Sequence, residues 1–140
     1  MPHDPHAVPD ILVVEDEPAE FYLLREAFSS GPRSVHFHSV TSVAHALAFL
    51  RHEASYAQAP RPQLIVTSIN LPGQSGFDLL AAVKGDPALR AIPVIILSLY
   101  DEPASSRRAA LWGPIGYVIK PRELEAFFKA IHTLVAGWFT

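Results

Sequence analysis

The segment most informative about the fold is Leu64-Ile-Val-Thr-Ser68-Ile-Asn70-Leu-Pro72-Gly73-Gln-Ser-Gly76. Its first four residues are apolar or β-branched without polar alternation, which is typical of a parallel strand that is covered on both faces. A Pro-Gly turn follows, and apolar residues at helical spacing begin at Phe77. The stretch therefore predicts a buried strand that passes through a short turn into a helix.

This unit recurs along the chain, in which five strand-like runs alternate with five helix-like segments. Such alternation predicts a parallel sheet with helices on both faces and right-handed crossovers. The expected fold class is α/β, a flavodoxin-like (βα)5 doubly wound parallel sheet with strand order 2-1-3-4-5. Ligands then bind beyond the carboxyl ends of the strands. The predicted strands are Ile11–Val14, Val35–His38 as a half-exposed edge strand, Leu64–Thr67, Val94–Leu97 and Gly116–Ile119.

Apolar stripes and end signals mark the helices. Gly31-Pro32 ends the first stripe, and Thr41 or Ser42 is the expected cap of the second. The stretch from Glu53 to Pro62 reads as a loop. The stripes run from Phe21 to Phe28, Val43 to Leu50, Phe77 to near Gly85, Pro103 to about Trp112, and Leu124 to Val135.

Length and composition point to one domain. At 140 residues, of which 49% are hydrophobic and 18% charged, the chain suits a compact core rather than a disordered segment. Three prolines among the first nine residues indicate a loose arm over residues 1–9. Residues 10–140 are expected to form a single domain. Because the chain ends directly after the fifth helix, no attached output domain is expected.

Several functional classes are disfavoured by the same composition. The net charge of −3 gives no electrostatic footprint for nucleic acid. There are no cysteines, which excludes disulfides, thiolate metal sites and a cysteine nucleophile. The apolar runs are far shorter than the ~20 residues of a membrane helix. The N-terminus lacks the pattern of a signal peptide, so the expected location is the cytoplasm.

Two adjacent carboxylates, Glu15 and Asp16, follow the first predicted strand, just before Pro18 opens a helix. Paired carboxylates at a strand end suit a hard cation such as Mg²⁺. The alternative is an ordinary acidic cap, since negative charge is favoured near a helix N-terminus. The pair alone does not decide between the two.

Three further elements end predicted strands in the same way: Ser68 before the Pro-Gly turn, Ser98, and the Lys120-Pro121 step. Taken singly, each is uninformative, but four elements in order with matching spacing form a pattern. From about Asp10 to its end, the sequence resembles the receiver domains of two-component response regulators. These domains receive a phosphoryl group from a sensor histidine kinase.

The resemblance implies a role for each position. Ser68 stands at the phospho-accepting position, where the family has an aspartate. Ser98 matches the hydroxyl residue that turns toward the phosphoryl group, and Tyr117 matches the aromatic that switches with it. Lys120 matches the lysine that contacts a phosphoryl oxygen. The implied Mg²⁺ ligands are Glu15, Asp16 and the backbone carbonyl of Asn70.

Serine at position 68 changes the expected chemistry. An aspartate is both an anionic nucleophile and a metal ligand, whereas a neutral serine hydroxyl needs a general base. We expect no aspartyl phosphorylation, weaker Mg²⁺ binding, and a Lys120 that pairs with Asp16 instead. The serine marks either a pseudo-receiver that signals by binding alone or a substitution in an ordinary receiver. The rest of the pocket is intact.

An enzymatic interpretation is disfavoured. Ser68 at a strand-to-helix turn is similar to a hydrolase nucleophile, but the G-x-S-x-G motif is absent. His132, the only histidine after Ser68, lies in the last predicted helix. His36 and His38 share a strand face, yet a metal site needs further supporting groups. Scattered surface histidines are the preferred account.

The resemblance also suggests partners. Two segments, Ile11–Glu20 and Lys84–Pro93, look like stand-alone regulators of phytochrome-type histidine kinases. Such a regulator acts by docking to other proteins. The apolar tail from Leu134 to Phe139 suggests a homodimer, with Trp138 and Phe139 folding back onto their own domain as the alternative.

Overall fold

Parallel strands form one sheet in the computed structural model, which describes residues 8–98, 107 and 116–139. Within these residues the sheet has five strands, in the order β2-β1-β3-β4-β5, and every neighbouring pair is parallel. This confirms the predicted fold class and strand order. The strands are β1 (Asp10–Val14), β2 (His36–Val40), β3 (Leu64–Ser68), β4 (Val94–Ser98) and β5 (Gly116–Ile119).

The described helices follow the predicted stripes. They are α1 (Pro18–Ser29), α2 (Val43–Leu50), α3 (Gly76–Gly85) and the C-terminal helix (Leu124–Phe139). A short 3₁₀ turn (Ala54–Tyr56) lies within the predicted loop. The predicted fourth helix, Pro103 to about Trp112, lies outside the described residues except for Arg107, which is helical. None of the described helices is long and apolar enough to cross a membrane.

Local signals in the sequence set the helix starts. Pro18 occupies the first turn of α1, where a missing N–H is harmless. The Ser42 side chain accepts a hydrogen bond from the His45 backbone at 3.1 Å, so Ser42 rather than Thr41 caps α2. Ser75 caps α3, and Asp78 accepts a hydrogen bond from the Ser75 backbone at 2.7 Å.

The second strand ends two residues further along the chain than predicted. The sequence predicts Val35–His38, whereas β2 covers His36–Val40. It pairs with β1 over its full length, from Asp10 opposite His36 to Val14 opposite Val40. The predicted half-exposed edge is confirmed, because β2 is an outer strand and only Val40 in it is buried.

Alternate residues of the strands contribute side chains to two hydrophobic cores, one on each face of the sheet. On one face, α2 and α3 pack over Leu12, Ile65 and Ile96. On the other, α1 and the C-terminal helix pack over Val13 and Val66. Because each central strand contributes to both cores, its residues are apolar without alternation, as the Leu64–Thr67 run indicated.

The start of the described chain joins the sheet. Pro9 is buried, and its carbonyl oxygen accepts a hydrogen bond from the His36 backbone at 2.8 Å. Residues 1–7 of the predicted arm lie outside the described residues. The ordered β1–β2 pairing therefore extends to Pro9, one residue before the predicted domain start.

Candidate functional site

The carboxyl ends of the strands bring the predicted site residues to one edge of the sheet. Glu15 directly follows β1, Ser68 ends β3, Ser98 ends β4, and Lys120 directly follows β5. Parallel strands place all these ends together. The backbone N–H of Glu15 is held by the Val40 carbonyl at 3.1 Å.

Glu15 and Ser68 are in direct contact. The Ser68 hydroxyl donates a hydrogen bond to Oε2 of Glu15. The backbone N–H of Glu17 donates to Oε1 of Glu15 at 2.9 Å. Glu15 is only 6% exposed, so its carboxylate is buried and held from two sides.

Burial raises the pKa of the Glu15 carboxyl above its ordinary value, because the charged form loses hydration. Negative charge on Asp16 and Glu20 acts in the same direction. The hydrogen bonds from Ser68 and Glu17 favour the charged form and oppose the shift. The hydrogen bonds from Ser68 and Glu17 thus help to keep the buried Glu15 carboxyl charged.

Lys120 forms an ion pair with Glu20, an acid that the sequence did not indicate as part of the site. Its Nζ lies 2.9 Å from both Oε1 and Oε2 of Glu20, in the first turn of α1. The prediction that Lys120 pairs with Asp16 is wrong, since Asp16 is exposed and the ion pair is with Glu20. The Glu20 side chain is 16% exposed and that of Lys120 is 18% exposed, so this ion pair is largely shielded from water.

Glu20 also changes the predicted charge of the pocket. The sequence predicts two negative charges in the pocket, those of Glu15 and Asp16, and one positive charge, that of Lys120. The structure adds a third carboxylate, so the group carries more negative charge than predicted. One of the three is already paired with the lysine.

The predicted switch residues, Ser98 and Tyr117, lie on adjacent strands and on the same face of the sheet. Tyr117 pairs with Ile96, two residues before Ser98, and residues two apart on a strand share a face. Ser98 is buried at 3% exposure, and its backbone carbonyl accepts a hydrogen bond from the Lys120 backbone at 2.7 Å. The Tyr117 hydroxyl is buried without a hydrogen-bond partner among the described residues.

A tight turn supports the end of β3. Gly73 has φ of +76°, a conformation that favours glycine. Asn70 is exposed and forms an isolated bridge with Ser75. A side chain at Gly76 would overlap the Ser68 carbonyl oxygen. The start of α3 is therefore packed directly against the backbone at the acceptor position.

The oxygen donors here suit Mg²⁺, although they are few. Mg²⁺ is commonly bound by one or two carboxylates and keeps several waters. Glu15 and Asp16 directly follow β1 and Asn70 lies shortly after β3, so carboxylate and carbonyl oxygens occur at this edge of the sheet. Within the described part of the chain, no group of three or more His, Cys, Asp or Glu residues could hold a metal ion. The donor set fits the ion in type.

Three of the described histidines, His36, His38 and His132, lie away from this pocket. His132 Nε2 is 3.0 Å from the Ala27 carbonyl oxygen, at the end of α1. His38 Nε2 and His36 Nδ1 lie 2.9 and 3.3 Å from Asp10 Oδ1, at the start of β1. The start of β1 is the end of the sheet opposite Ser68. Each of these histidines thus has local partners away from the pocket.

Comparison with known proteins agrees with this geometry. Residues 11–132 match the response regulator receiver domain family. The chain is 30% identical to the response regulator Rcp1 of Synechocystis over 128 residues, 91% of this chain and 87% of Rcp1.

Solved structures of response regulators superpose closely on this chain. The phosphorylated cyanobacterial phytochrome response regulator RcpA superposes with a TM-score of 0.88 at 31% identity, covering 96% of each chain. The Mn²⁺-bound form of Rcp1 superposes with a TM-score of 0.83 at 29% identity, covering 94% of each chain. The chain therefore belongs to the response regulator receiver family and is a homologue of the response regulator Rcp1 and of the cyanobacterial phytochrome response regulator RcpA.

Proposed function

We propose that this receiver acts in a two-component pathway by docking to other proteins, with aspartyl phosphorylation blocked by Ser68. The observation that carries the proposal is the hydroxyl at the end of β3, which donates a hydrogen bond to Glu15. In this family that position supplies the acceptor carboxylate. We do not expect this chain to act as an enzyme.

The chemistry of a serine hydroxyl supports the proposed absence of phosphorylation at position 68. Phosphoryl transfer depends on positioning and on neutralising charge around a loose transition state. A serine hydroxyl is a weak nucleophile at neutral pH unless a base takes its proton. It also supplies no negative charge to a metal ion. An acyl phosphate therefore has no carboxylate at position 68 on which to form.

We expect Mg²⁺ to bind weakly, through Glu15, Asp16 and the Asn70 carbonyl. The related Rcp1 has been solved in a Mn²⁺-bound form, which supports a divalent-cation site of this type. Replacing Ser68 by Asp adds a third carboxylate side chain to this donor set. Isothermal titration with Mg²⁺ should then show tighter binding for Ser68→Asp than for the parent chain.

The proposed partner is a sensor histidine kinase of the phytochrome type, in the cytoplasm. The likeness to RcpA and Rcp1 supports this class of kinase. The expected docking surface is the outer face of α1, where Tyr22 is 60% exposed, together with the loop after Pro72. The net charge of −3 gives no reason to expect nucleic-acid binding.

We also propose a homodimer that involves β5 and the C-terminal helix. Ile119 is 40% exposed and Leu124 is 53% exposed, although both are large apolar residues. Apolar exposure of this kind favours an interface. The same helix carries the apolar tail that the sequence singled out.

The second candidate is a phosphate-independent adaptor built on the receiver scaffold. The partly buried Ser68–Glu15 hydrogen bond favours it, because the Ser68 hydroxyl already has a partner without a phosphoryl group. The two candidates differ in how Ser68→Asp responds to a small phosphodonor with Mg²⁺. A disabled receiver should show amide-resonance shifts around Ser98 and Tyr117, whereas an adaptor should show none.

Ser55→Asp is the matched control, since Ser55 is exposed on the 3₁₀ turn. It adds the same charge away from the pocket. Shifts in Ser68→Asp alone would support the receiver proposal. Equal spectra before and after the phosphodonor in both variants would instead support the adaptor.

A further inference from the structure

The ammonium of Lys120 already has an anionic partner within the chain. Both carboxylate oxygens of Glu20 lie 2.9 Å from Nζ. An ammonium has three N–H donors, so Glu20 engages a large part of its hydrogen-bonding capacity. The resemblance to receivers assigns this lysine to a phosphoryl oxygen.

The surroundings of Lys120 hold it in this pairing. Its backbone N–H donates to the Ser98 carbonyl at 2.7 Å. Its Nζ lies 5.4 Å from the centre of the Phe127 ring, within range of a cation–π attraction. Because both side chains of the ion pair are less than one fifth exposed, water screens the pair less than it screens a surface pair.

Glu20 comes from a different part of the molecule than the strand ends. It lies in the first turn of α1, 100 residues before Lys120 in the chain. The ion pair therefore links the start of α1 to the end of β5. A group that needs the N–H donors now directed at Glu20 must displace its carboxylate.

We propose that Glu20 is a built-in competitor for Lys120, which takes the lysine contacts that a phosphoryl group at position 68 would need. This inference rests on the proposed receiver function. It makes Glu20 a positioning residue that holds the pocket in its resting form. It also predicts that restoring the aspartate alone gives a receiver that is phosphorylated only slowly.

Charge supports the same conclusion. In the Ser68→Asp variant, the new carboxylate would join those of Glu15, Asp16 and Glu20, which already act on one another, so that the pocket would hold four carboxylates and one lysine. A phosphoryl group would add still more negative charge. Removing the charge at position 20 both frees Lys120 and lowers this repulsion.

The first test is the phosphorylation rate with a small phosphodonor and Mg²⁺, in the Ser68→Asp background. Adding Glu20→Gln should raise the rate by about tenfold or more, as expected when a charge-assisted hydrogen bond no longer competes. The matched control is Glu26→Gln, which makes the same charge change on α1. It should leave the rate unchanged.

The second test needs no phosphorylation and keeps Ser68. Limited reductive methylation, mapped by mass spectrometry, reports how available each lysine amine is. Glu20→Gln should raise the labelling of Lys120 several-fold, whereas Glu26→Gln should not. The exposed Lys129 serves as the internal reference.

The outcomes separate this inference from the proposed function. If Lys120 labelling rises but no variant that carries Ser68→Asp is phosphorylated, the competition is supported and the receiver function fails. If Glu20→Gln changes neither readout, Glu20 is not a competitor. An equal gain in phosphorylation from Glu20→Gln and Glu26→Gln would also overturn the inference, because it would reflect net charge alone.

Discussion

At the residue scale, the contact between Ser68 and Glu15 links the missing aspartate to the acid that remains. The serine hydroxyl donates to a carboxylate that is almost fully buried. A buried carboxylate with too few donors is strongly unfavourable. We therefore expect Ser68 to stabilise the fold through Glu15, whatever its role in signalling.

Replacing Ser68 by Ala should destabilise the protein by about 1–3 kcal/mol at neutral pH, because Glu15 loses a donor while it stays buried. Urea unfolding monitored by circular dichroism measures this change. Ser55→Ala is the control and should stay within about 0.5 kcal/mol, as is usual for an exposed site. Equal stability of the two variants would show that the Ser68 hydrogen bond contributes nothing.

Glu15 should also make stability depend on pH. Because its folded-state pKa is raised, the folded chain binds a proton more tightly than the unfolded chain does. The stability that this proton contributes is present at low pH and is lost as pH rises from about 4.5 through the folded-state value. The free energy of unfolding of the parent chain should fall across this window relative to that of Glu15→Gln.

Unfolding both proteins over a pH series measures the difference. Glu53→Gln, at an exposed site in the loop before the 3₁₀ turn, is the control. The profile of Glu15→Gln is compared with those of the parent and of this control. A parallel profile for Glu15→Gln would mean that Glu15 titrates alike in the folded and unfolded chains.

Most single residues of the site could be predicted because their position depends on one strand end each. Glu15, Ser68, Ser98 and Lys120 all lie where the sequence placed them. Glu20 could not be predicted, since its partner is 100 residues away and depends on side-chain reach across two elements. The available signal was an acid in the first turn of the helix that follows Glu15-Asp16.

At the element scale, the approach of α3 to the end of β3 shapes the acceptor position. Gly76 opens α3, and a methyl group there would meet the rigid backbone of Ser68. Gly76→Ala should therefore destabilise the protein by about 1–3 kcal/mol. Thermal or urea unfolding gives the value.

Gly85 offers a matched glycine at the other end of α3. A methyl group at position 85 meets nothing within 4 Å, and its φ is not positive. Gly85→Ala should be neutral or should stabilise by up to about 1 kcal/mol, since it restricts the unfolded chain. If both substitutions behave alike, close packing at Gly76 is not the cause.

Element boundaries were predictable where a local signal exists. Ser42 and Ser75 mark helix starts through hydrogen bonds to their own helices. The ends of β2 were less predictable, because its extent is set by pairing with β1 rather than by its own sequence. The alternation of Val35 to His38 locates the strand but not its register.

At the scale of the whole molecule, the strand order follows from the βα alternation and the preference for right-handed crossovers. The two cores confirm it, since α1 and the C-terminal helix cover one face and α2 and α3 the other. Quaternary structure does not follow in this way. It depends on surface patches that the hydrophobic pattern of a single sequence does not identify.

Removing residues 137–140 tests the proposed homodimer. If the apolar tail supports the dimer, sedimentation should show a dimer for the full chain and a monomer for the truncated one. Removal of residues 1–7 is the control and should leave the dimer intact. An unchanged sedimentation mass after removal of the tail would exclude its part in dimerisation.

The most direct measurement is intact mass after incubation with Mg²⁺ and a small phosphodonor, for the parent chain and Ser68→Asp in parallel. We predict that only Ser68→Asp gains a phosphoryl group, slowly, and that hydroxylamine removes it as expected of an acyl phosphate. An acyl phosphate on the parent chain would contradict the block at Ser68. Its absence from both proteins would contradict the view that the rest of the pocket is competent.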